Sequence, residues 1–203
     1  MRKSFLYTMY RNFQLNRELQ QWNRSVGTLP FPARKKQGIV EAYARKFAVS
    51  TFVETGTWRG DMVHAMKDKF DRIYSIELDK ALYERAKKRF SHVRHISIFQ
   101  GDSSTILPTI LSAISQPCLF WLDAHYSGGN TAKSQRDTPI LEELSCILNH
   151  SSGNDVILID DARMFDGLHD YPEIKEVETI LHRKYPAWVL EVKDDIIRIH
   201  NKP

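Results

Sequence analysis

The chain has 203 residues, of which 42% are apolar and 27% are charged. This composition supports a buried core and excludes wholesale disorder. The length suits one α/β domain, or one domain with an arm, better than two domains. The longest apolar runs, such as residues 156–159, are far shorter than the roughly 20 residues of a membrane-spanning helix, so we expect no membrane segment. Residues 5–7 are too short for a signal-peptide core, and we expect a cytoplasmic protein.

The formal net charge of +4 is unevenly distributed along the chain. Residues 1–40 contain eight Lys or Arg and one acid, Glu18, which gives eight minus one, or +7, and leaves −3 for the remaining 163 residues. We predict a basic helical arm over residues 1–34 and a Rossmann-like domain over residues 35–203. Basic helix faces usually remain solvated, which favours an arm that packs on the domain. Docking of this arm to nucleic acid or to an acidic protein is the alternative, and it predicts salt-sensitive binding that is lost when residues 1–30 are deleted.

The arm region predicts two helices. Residues 10–24 carry Phe13, Leu19 and Trp22 at roughly helical spacing, and the helix must end before the Pro30-Phe31-Pro32 segment. A second helix is predicted over residues 33–47, with apolar side chains along one face.

From residue 50 onward, short β-rich runs alternate with amphipathic stretches. Strands are predicted at 51–53, 73–76, 95–99, 118–122 and 156–159, and helices at 61–69, 80–90, 104–114, 139–149 and 172–184. Regular alternation of this kind predicts an α/β fold with a doubly wound, mostly parallel sheet that has helices on both faces. Two final strands, 188–192 and 196–199, are separated by only three residues, which predicts an antiparallel hairpin.

A glycine-containing turn follows the first strand of the alternating region. It reads Glu54-Thr55-Gly56-Thr57-Trp58-Arg59-Gly60, and Asp61 can begin a helix after it. Glycines at such a turn let a ligand approach the backbone at the helix N-terminus. The dinucleotide fingerprint G-x-G-x-x-G is absent, and an acid at the strand end would repel a pyrophosphate. This disfavours a nicotinamide-dependent oxidoreductase and suits a cationic ligand.

Acids also end the next two strands. Glu77 follows Gly56 by 21 residues, close to the roughly 20 expected of an acid that accepts both ribose hydroxyls of an adenosine-containing cofactor. Asp102 follows the third strand and is positioned to accept a hydrogen bond from an adenine amino group. The three elements together, in this order, indicate a cofactor site.

Over residues 35–201, this arrangement resembles the class I S-adenosylmethionine-dependent methyltransferases. The resemblance implies a seven-stranded sheet that ends in an antiparallel hairpin. It also implies that Glu54, Gly56 and Gly60 form the first cofactor motif, that Glu77 holds the ribose, and that Asp102 and Ser103 contact the adenine. Trp58 and Arg59 are unusually bulky for this loop, and we expect both side chains to point outward.

Acids follow the fourth and fifth strands as well, at Asp123 and at Asp160-Asp161. The carboxyl ends of neighbouring parallel strands lie at the same edge, so these side chains are expected to converge. No Lys or Arg is evident between them, and a divalent cation, preferably Mg²⁺, would relieve their repulsion. The alternatives are that the acids cap loops or neutralise Arg163.

This second pattern resembles the metal-dependent O-methyltransferases that modify sugars and macrolide or aminocoumarin natural products. The resemblance implies that Asp123, Asp160 and Asp161 hold the metal and that His125 is the catalytic base. An imidazole is a competent base at neutral pH. The implied acceptor is a hydroxyl of a small molecule or sugar. The oligomeric state stays open, with a homo-oligomer as one alternative.

Other methyltransferase chemistries fit the sequence less well. Pro117-Cys118 lies before the fourth strand, where a catalytic cysteine is not expected, and Cys118 and Cys146 both lie in apolar segments. The motif of exocyclic-amine methyltransferases is absent after the fourth strand, so we do not expect a nucleic-acid substrate. Residues 127–137 are polar and glycine-rich, which predicts either a lid or an ordinary surface loop.

Overall fold

The structure is a computed structural model of the chain, and it describes residues 2–25, 28–123, 138–151 and 153–202. In these ranges, none of the helices combines the length and the apolar character that crossing a bilayer requires.

Helices and strands alternate as the sequence predicts. The helices are α1 (Arg2–Arg24), α2 (Ala33–Lys46), α3 (Asp61–Met66), α4 (Lys80–Phe90), α5 (Ser103–Ser112), α6 (Ile140–His150) and α7 (Ile174–Lys184). The strands are β1 (Thr51–Thr55), β2 (Arg72–Glu77), β3 (Ile96–Gln100), β4 (Cys118–Leu122), β5 (Val156–Ile159), β6 (Val189–Lys193) and β7 (Ile196–His200). A short 3-10 helix, Ala162–Met164, follows β5.

The strands form one seven-stranded sheet in the order β3-β2-β1-β4-β5-β7-β6. Strands β1 to β5 pair in parallel, whereas β7 is antiparallel to both of its neighbours. The predicted hairpin is confirmed, and its turn consists of Asp194 and Asp195, whose φ angles are 54° and 60°. Positive φ at both central residues is the geometry of a tight hairpin turn. The sheet order reverses between β1 and β4, so the cleft beside these strands is the expected ligand site.

Two apolar cores cover the two faces of the sheet. Because side chains alternate along a strand, Phe52 and Leu119 lie in one core, and Val53 and Phe120 lie in the other. Buried side chains of α5, α6 and α7 pack in the core of Val53, and those of α2, α3 and α4 pack in the core of Phe52. Strands β1, β4 and β5 are buried along their whole length, which explains the continuous apolar sequences of β4 and β5.

The N-terminal region packs on the core of Phe52. The rings of Trp22 and Phe31 lie edge to face with 4.9 Å between their centroids, and Phe31 is buried. Further along α2, Tyr43 and Phe47 contact the imidazole of His200 on β7. Aromatic side chains at the end of α1 and along α2 therefore join this region to the sheet.

Candidate active site

The turn after β1 has the backbone that its glycines predict. Gly56 and Gly60 have φ angles of 87° and 73°, in the left-handed region that glycine tolerates best. A Cβ at Gly60 would lie 2.8 Å from Cε2 of Phe90, so a side chain is excluded there. Trp58 is 52% exposed and the Arg59 guanidinium lies 4.5 Å from the centroid of its ring. Both bulky side chains point outward, as expected.

Glu77 connects this turn to the end of β2. Its Oε2 accepts a 2.6 Å hydrogen bond from the Trp58 backbone N–H, and its Oε1 accepts one of 2.9 Å from the Asp79 N–H. Burial raises the pKa of Glu77, and these backbone hydrogen bonds oppose that shift. A carboxylate offers about four lone-pair positions, so capacity remains for ribose hydroxyls.

Glu54 lies beneath the turn rather than on its surface. It is fully buried and accepts a 2.5 Å hydrogen bond from Ser75 Oγ, which lies 2.6 Å from the Thr57 hydroxyl. Burial raises the pKa of Glu54 well above its usual value, and the nearby Asp123 and Glu77 carboxylates add to this effect. Glu54 therefore supports the turn from inside, and its contact with a cationic ligand stays a prediction.

The two predicted adenine contacts lie at the start of α5. Asp102 is the N-cap of this helix, because its Oδ1 accepts hydrogen bonds from Ser104 N at 2.9 Å and from Ser104 Oγ at 2.6 Å. Neither bond uses Oδ2. The next residue, Ser103, is buried and hydrogen-bonds the side chain of Glu143.

Glu143 is a buried acid that the sequence analysis did not identify. It lies in the first turn of α6, beside Thr55 at the end of β1. Burial raises its pKa to about 7, although the nearby hydroxyls of Ser103 and Thr55 oppose the shift. Among the described residues, Glu143 Oε1 has no hydrogen-bond partner of good geometry. The available signal was the acidic pair at 142–143 in a helix first turn, but its burial was not evident.

The three predicted metal ligands converge. One carboxylate oxygen from each of Asp123, Asp160 and Asp161 lies within 4.8 Å of the others. Parallel pairing continues past the strand ends, since the Asp123 N–H donates to the Thr55 carbonyl and the Asp160 N–H donates to the Leu122 carbonyl. Asp161 has a left-handed backbone, with φ of 55°. Sheet pairing thus brings the acids to one edge, and three hard oxygen donors at this separation fit a divalent cation.

A lysine that the sequence analysis did not connect with these acids reaches them from α2. Lys36 Nζ lies 2.5 Å from Asp160 Oδ2 and 3.5 Å from Asp161 Oδ1. Burial lowers the pKa of Lys36, but the carboxylates of Asp160, Asp161 and Asp123 outweigh this and raise it overall. The premise that no Lys or Arg neutralises the acids was therefore wrong. Lys36 precedes Asp160 by 124 residues, so no local pattern reveals the contact.

Arg163 also pairs with the cluster. Its Nη1 donates a 2.8 Å hydrogen bond to Asp161 Oδ1, and the same nitrogen pairs with Asp195. The alternative that the acids neutralise Arg163 is thus correct for Asp161, and the same carboxylate also faces Lys36. Two cationic side chains from different parts of the chain already approach these carboxylates.

Tyr171 borders the cluster from the segment before α7. Burial raises the pKa of its phenol, and the carboxylates of Asp161 and Asp123 raise it further. A hydrogen bond with Thr138 opposes the shift. Tyr171 thus remains a neutral hydroxyl at neutral pH, within range of the charges of Asp161 and Asp123.

His125 and the predicted lid, residues 127–137, lie outside the described residues. The role of His125 as a base therefore stays a prediction.

Comparison with solved structures identifies the fold. The chain is similar to the O-methyltransferase TomG from Streptomyces achromogenes, involved in tomaymycin synthesis and solved with SAM: TM-score 0.62, 16% identity, covering 91% of this chain and 87% of that one. It is similar to a putative caffeoyl-CoA O-methyltransferase from Staphylococcus aureus: TM-score 0.62, 12% identity, covering 98% and 99%. An O-methyltransferase from Bacillus cereus solved with SAH gives TM-score 0.59, 14% identity and coverage of 91% and 88%.

No family model and no curated protein matches the sequence. At these low identities the structural similarities show the fold, which is that of the class I methyltransferases. The predicted fold class is confirmed: a seven-stranded, mostly parallel sheet that ends in an antiparallel hairpin.

Proposed function

We propose that the protein is an S-adenosylmethionine-dependent O-methyltransferase that modifies a hydroxyl of a small molecule or sugar with the help of a divalent cation. One observation carries the proposal: Asp123, Asp160 and Asp161 converge at the same sheet edge as the glycine turn and Glu77. The similar structures named above are O-methyltransferases, two of them solved with SAM or SAH, which supports the choice of cofactor.

The residues divide into two groups along this edge. Glu77 accepts the ribose hydroxyls, Gly56 and Gly60 let the cofactor approach the backbone, and Asp102 with Ser103 contacts the adenine. S-adenosylmethionine, when bound, supplies an electrophilic methyl group on its sulfonium. The methyl group would pass from the sulfonium sulfur to the acceptor oxygen, with the carbon–sulfur bond broken as the carbon–oxygen bond forms and SAH as the product.

Asp123, Asp160 and Asp161 would hold Mg²⁺, which orients the acceptor and lowers the pKa of its hydroxyl when bound. His125 receives the hydroxyl proton.

Calorimetric titration with SAM and SAH, followed by MgCl₂, tests cofactor and metal in one sample. We then expect methylation of diol-bearing sugars or small molecules in Mg²⁺, detected by mass spectrometry, and its loss in excess EDTA with recovery on added Mg²⁺. Binding of NAD without binding of SAM would refute the methyltransferase. Full activity in excess chelator would refute the metal requirement but not the methyltransferase activity.

A further inference from the structure

The ammonium of Lys36 lies where a cation of the acidic cluster is expected. It is within 3.5 Å of oxygens from Asp160 and Asp161, and the charge of Asp123 also acts on it. Its side chain is only 11% exposed, and those of Asp160 and Asp161 are 2% and 8% exposed. Ion pairs so little exposed are screened weakly, and removing one partner leaves uncompensated buried charge.

Two cations cannot share the same carboxylate oxygens at such distances. Bound Mg²⁺ or Mn²⁺ lies about 2.1 Å from each oxygen ligand, and an ammonium that remained 2.5 Å from Asp160 would lie against the ion. The ammonium carries one positive charge and the ion two, so like charges would repel at close range. Lys36 is on α2 and not in the loops that hold the acids, so it can leave without disturbing them.

We propose that Lys36 and a divalent cation are alternative occupants of one position among Asp123, Asp160 and Asp161, and that Lys36 sets how tightly the ion binds. This inference rests on the metal site of the proposed function. Lys36 balances the buried acids while the ion is absent, and the ion must displace it to bind. Lys36 therefore sets the metal affinity of this site, although it belongs to the region before the sheet.

Calorimetric titration with Mn²⁺ tests the proposal. Lys36→Met should bind Mn²⁺ at least ten-fold more tightly than the unmodified protein, because the competing ammonium is gone. Lys36→Arg retains a positive charge and should bind no more tightly than the unmodified protein. Lys35→Met removes the neighbouring lysine, which makes no ion pair among the described residues, and should leave Mn²⁺ affinity unchanged. Adding Asp160→Asn to Lys36→Met should abolish the gain.

Equal Mn²⁺ affinity of Lys36→Met and the unmodified protein would overturn the proposal, and so would absence of Mn²⁺ binding by Lys36→Met. If Lys36→Met unfolds in metal-free buffer, Mn²⁺ should restore its folding, because the ion takes the place of the ammonium. Lys36→Gln is a second variant that lacks the ammonium. If Mn²⁺ restores the folding of neither Lys36→Met nor Lys36→Gln, the proposal is also overturned. A parallel titration with SAH separates the methyltransferase function from the competition between Lys36 and the ion. Absence of SAH binding would refute the methyltransferase function, whereas the Mn²⁺ affinities of the variants would still test the competition.

Discussion

The carboxylate of Glu77 holds the backbone of Trp58 through a 2.6 Å hydrogen bond, so the end of β2 fixes the turn that follows β1. The predicted ribose acid and the predicted glycine turn are therefore one structural unit. A change at Glu77 acts on both the turn and any ligand that it holds.

Substitution of Glu77 tests the cofactor site. Glu77→Ala should weaken SAH binding by roughly 1.5–3 kcal/mol, because a charged hydrogen-bond acceptor is lost. Glu77→Gln keeps an acceptor for the Trp58 N–H. Its SAH affinity, measured by calorimetric titration, should lie between those of Glu77→Ala and the unmodified protein. Glu84→Ala, an exposed change on α4, is the matched control. Unchanged SAH affinity in Glu77→Ala would exclude the ribose role.

Two glycine substitutions should change stability in opposite directions. Gly60→Ala should destabilise the fold by about 1–3 kcal/mol, because φ is 73° and a Cβ would meet the Phe90 ring. Gly38→Ala lies on α2 with nothing within 4 Å of its Cβ, and it should stabilise by about 0.5–1 kcal/mol. Urea unfolding of both variants makes the comparison. Equal stability of Gly60→Ala and Gly38→Ala would show that the turn does not have the left-handed backbone and the close Phe90 contact at Gly60.

Glu143 should make stability depend on pH. The folded protein holds its proton up to about pH 7, whereas an unfolded glutamate releases it near 4.5. This contribution to stability is fully present below pH 4.5 and is lost as pH rises through 7. Glu143→Gln cannot titrate, so its stability relative to the unmodified protein should rise by roughly 2–3 kcal/mol between pH 5 and pH 8.

Urea unfolding at both pH values measures this change. Glu178→Gln, an exposed change on α7, is the control and should follow the unmodified protein at each pH. If the stability of Glu143→Gln relative to the unmodified protein is the same at both pH values, the Glu143 carboxyl is ionised in the folded protein.

His125→Ala tests the predicted base. Turnover should fall by roughly 10²- to 10⁴-fold while SAH affinity stays near normal, since a base contributes to the chemical step. The unmodified enzyme should also lose rate as pH falls through the pKa of the base, and the variant should not. The pH profile of turnover at saturating Mg²⁺ makes the measurement, with exposed His92→Ala as the control. Persistence of the acid limb in His125→Ala would assign the base to another group.

Most of the fold could be predicted because β-rich runs, of which those of β4 and β5 are continuously apolar, alternate with amphipathic stretches along the chain. Asp123 and Asp160 could be brought together from the sequence for the same reason: parallel strands end at one edge, and sheet pairing continues to Thr55 and Leu122. Both predictions, of the fold and of the approach of Asp123 to Asp160, depend only on the regular pairing of neighbouring strands.

Lys36 and Glu143 could not be predicted in the same way. The contact of Lys36 with Asp160 depends on how α2 sits across the sheet, which side-chain packing decides rather than spacing. Glu143 occupies a helix first turn, where acids are usually solvated, and the packing of α6 against α5 and the end of β1 buries it. Long-range packing thus determines the charge balance of the site.

The N-terminal contacts of α2 have a practical consequence for shortened forms of the protein. A chain beginning at residue 35, the predicted domain boundary, would retain Lys36 but lack Phe31 and its edge-to-face partner Trp22. It would also lack the first residues of α2, and helix ends without flanking contacts fray. Truncation at that point would loosen Lys36 from Asp160 and leave buried acids exposed to water. The start chosen for a truncated protein therefore determines whether its acidic edge matches that of the full chain.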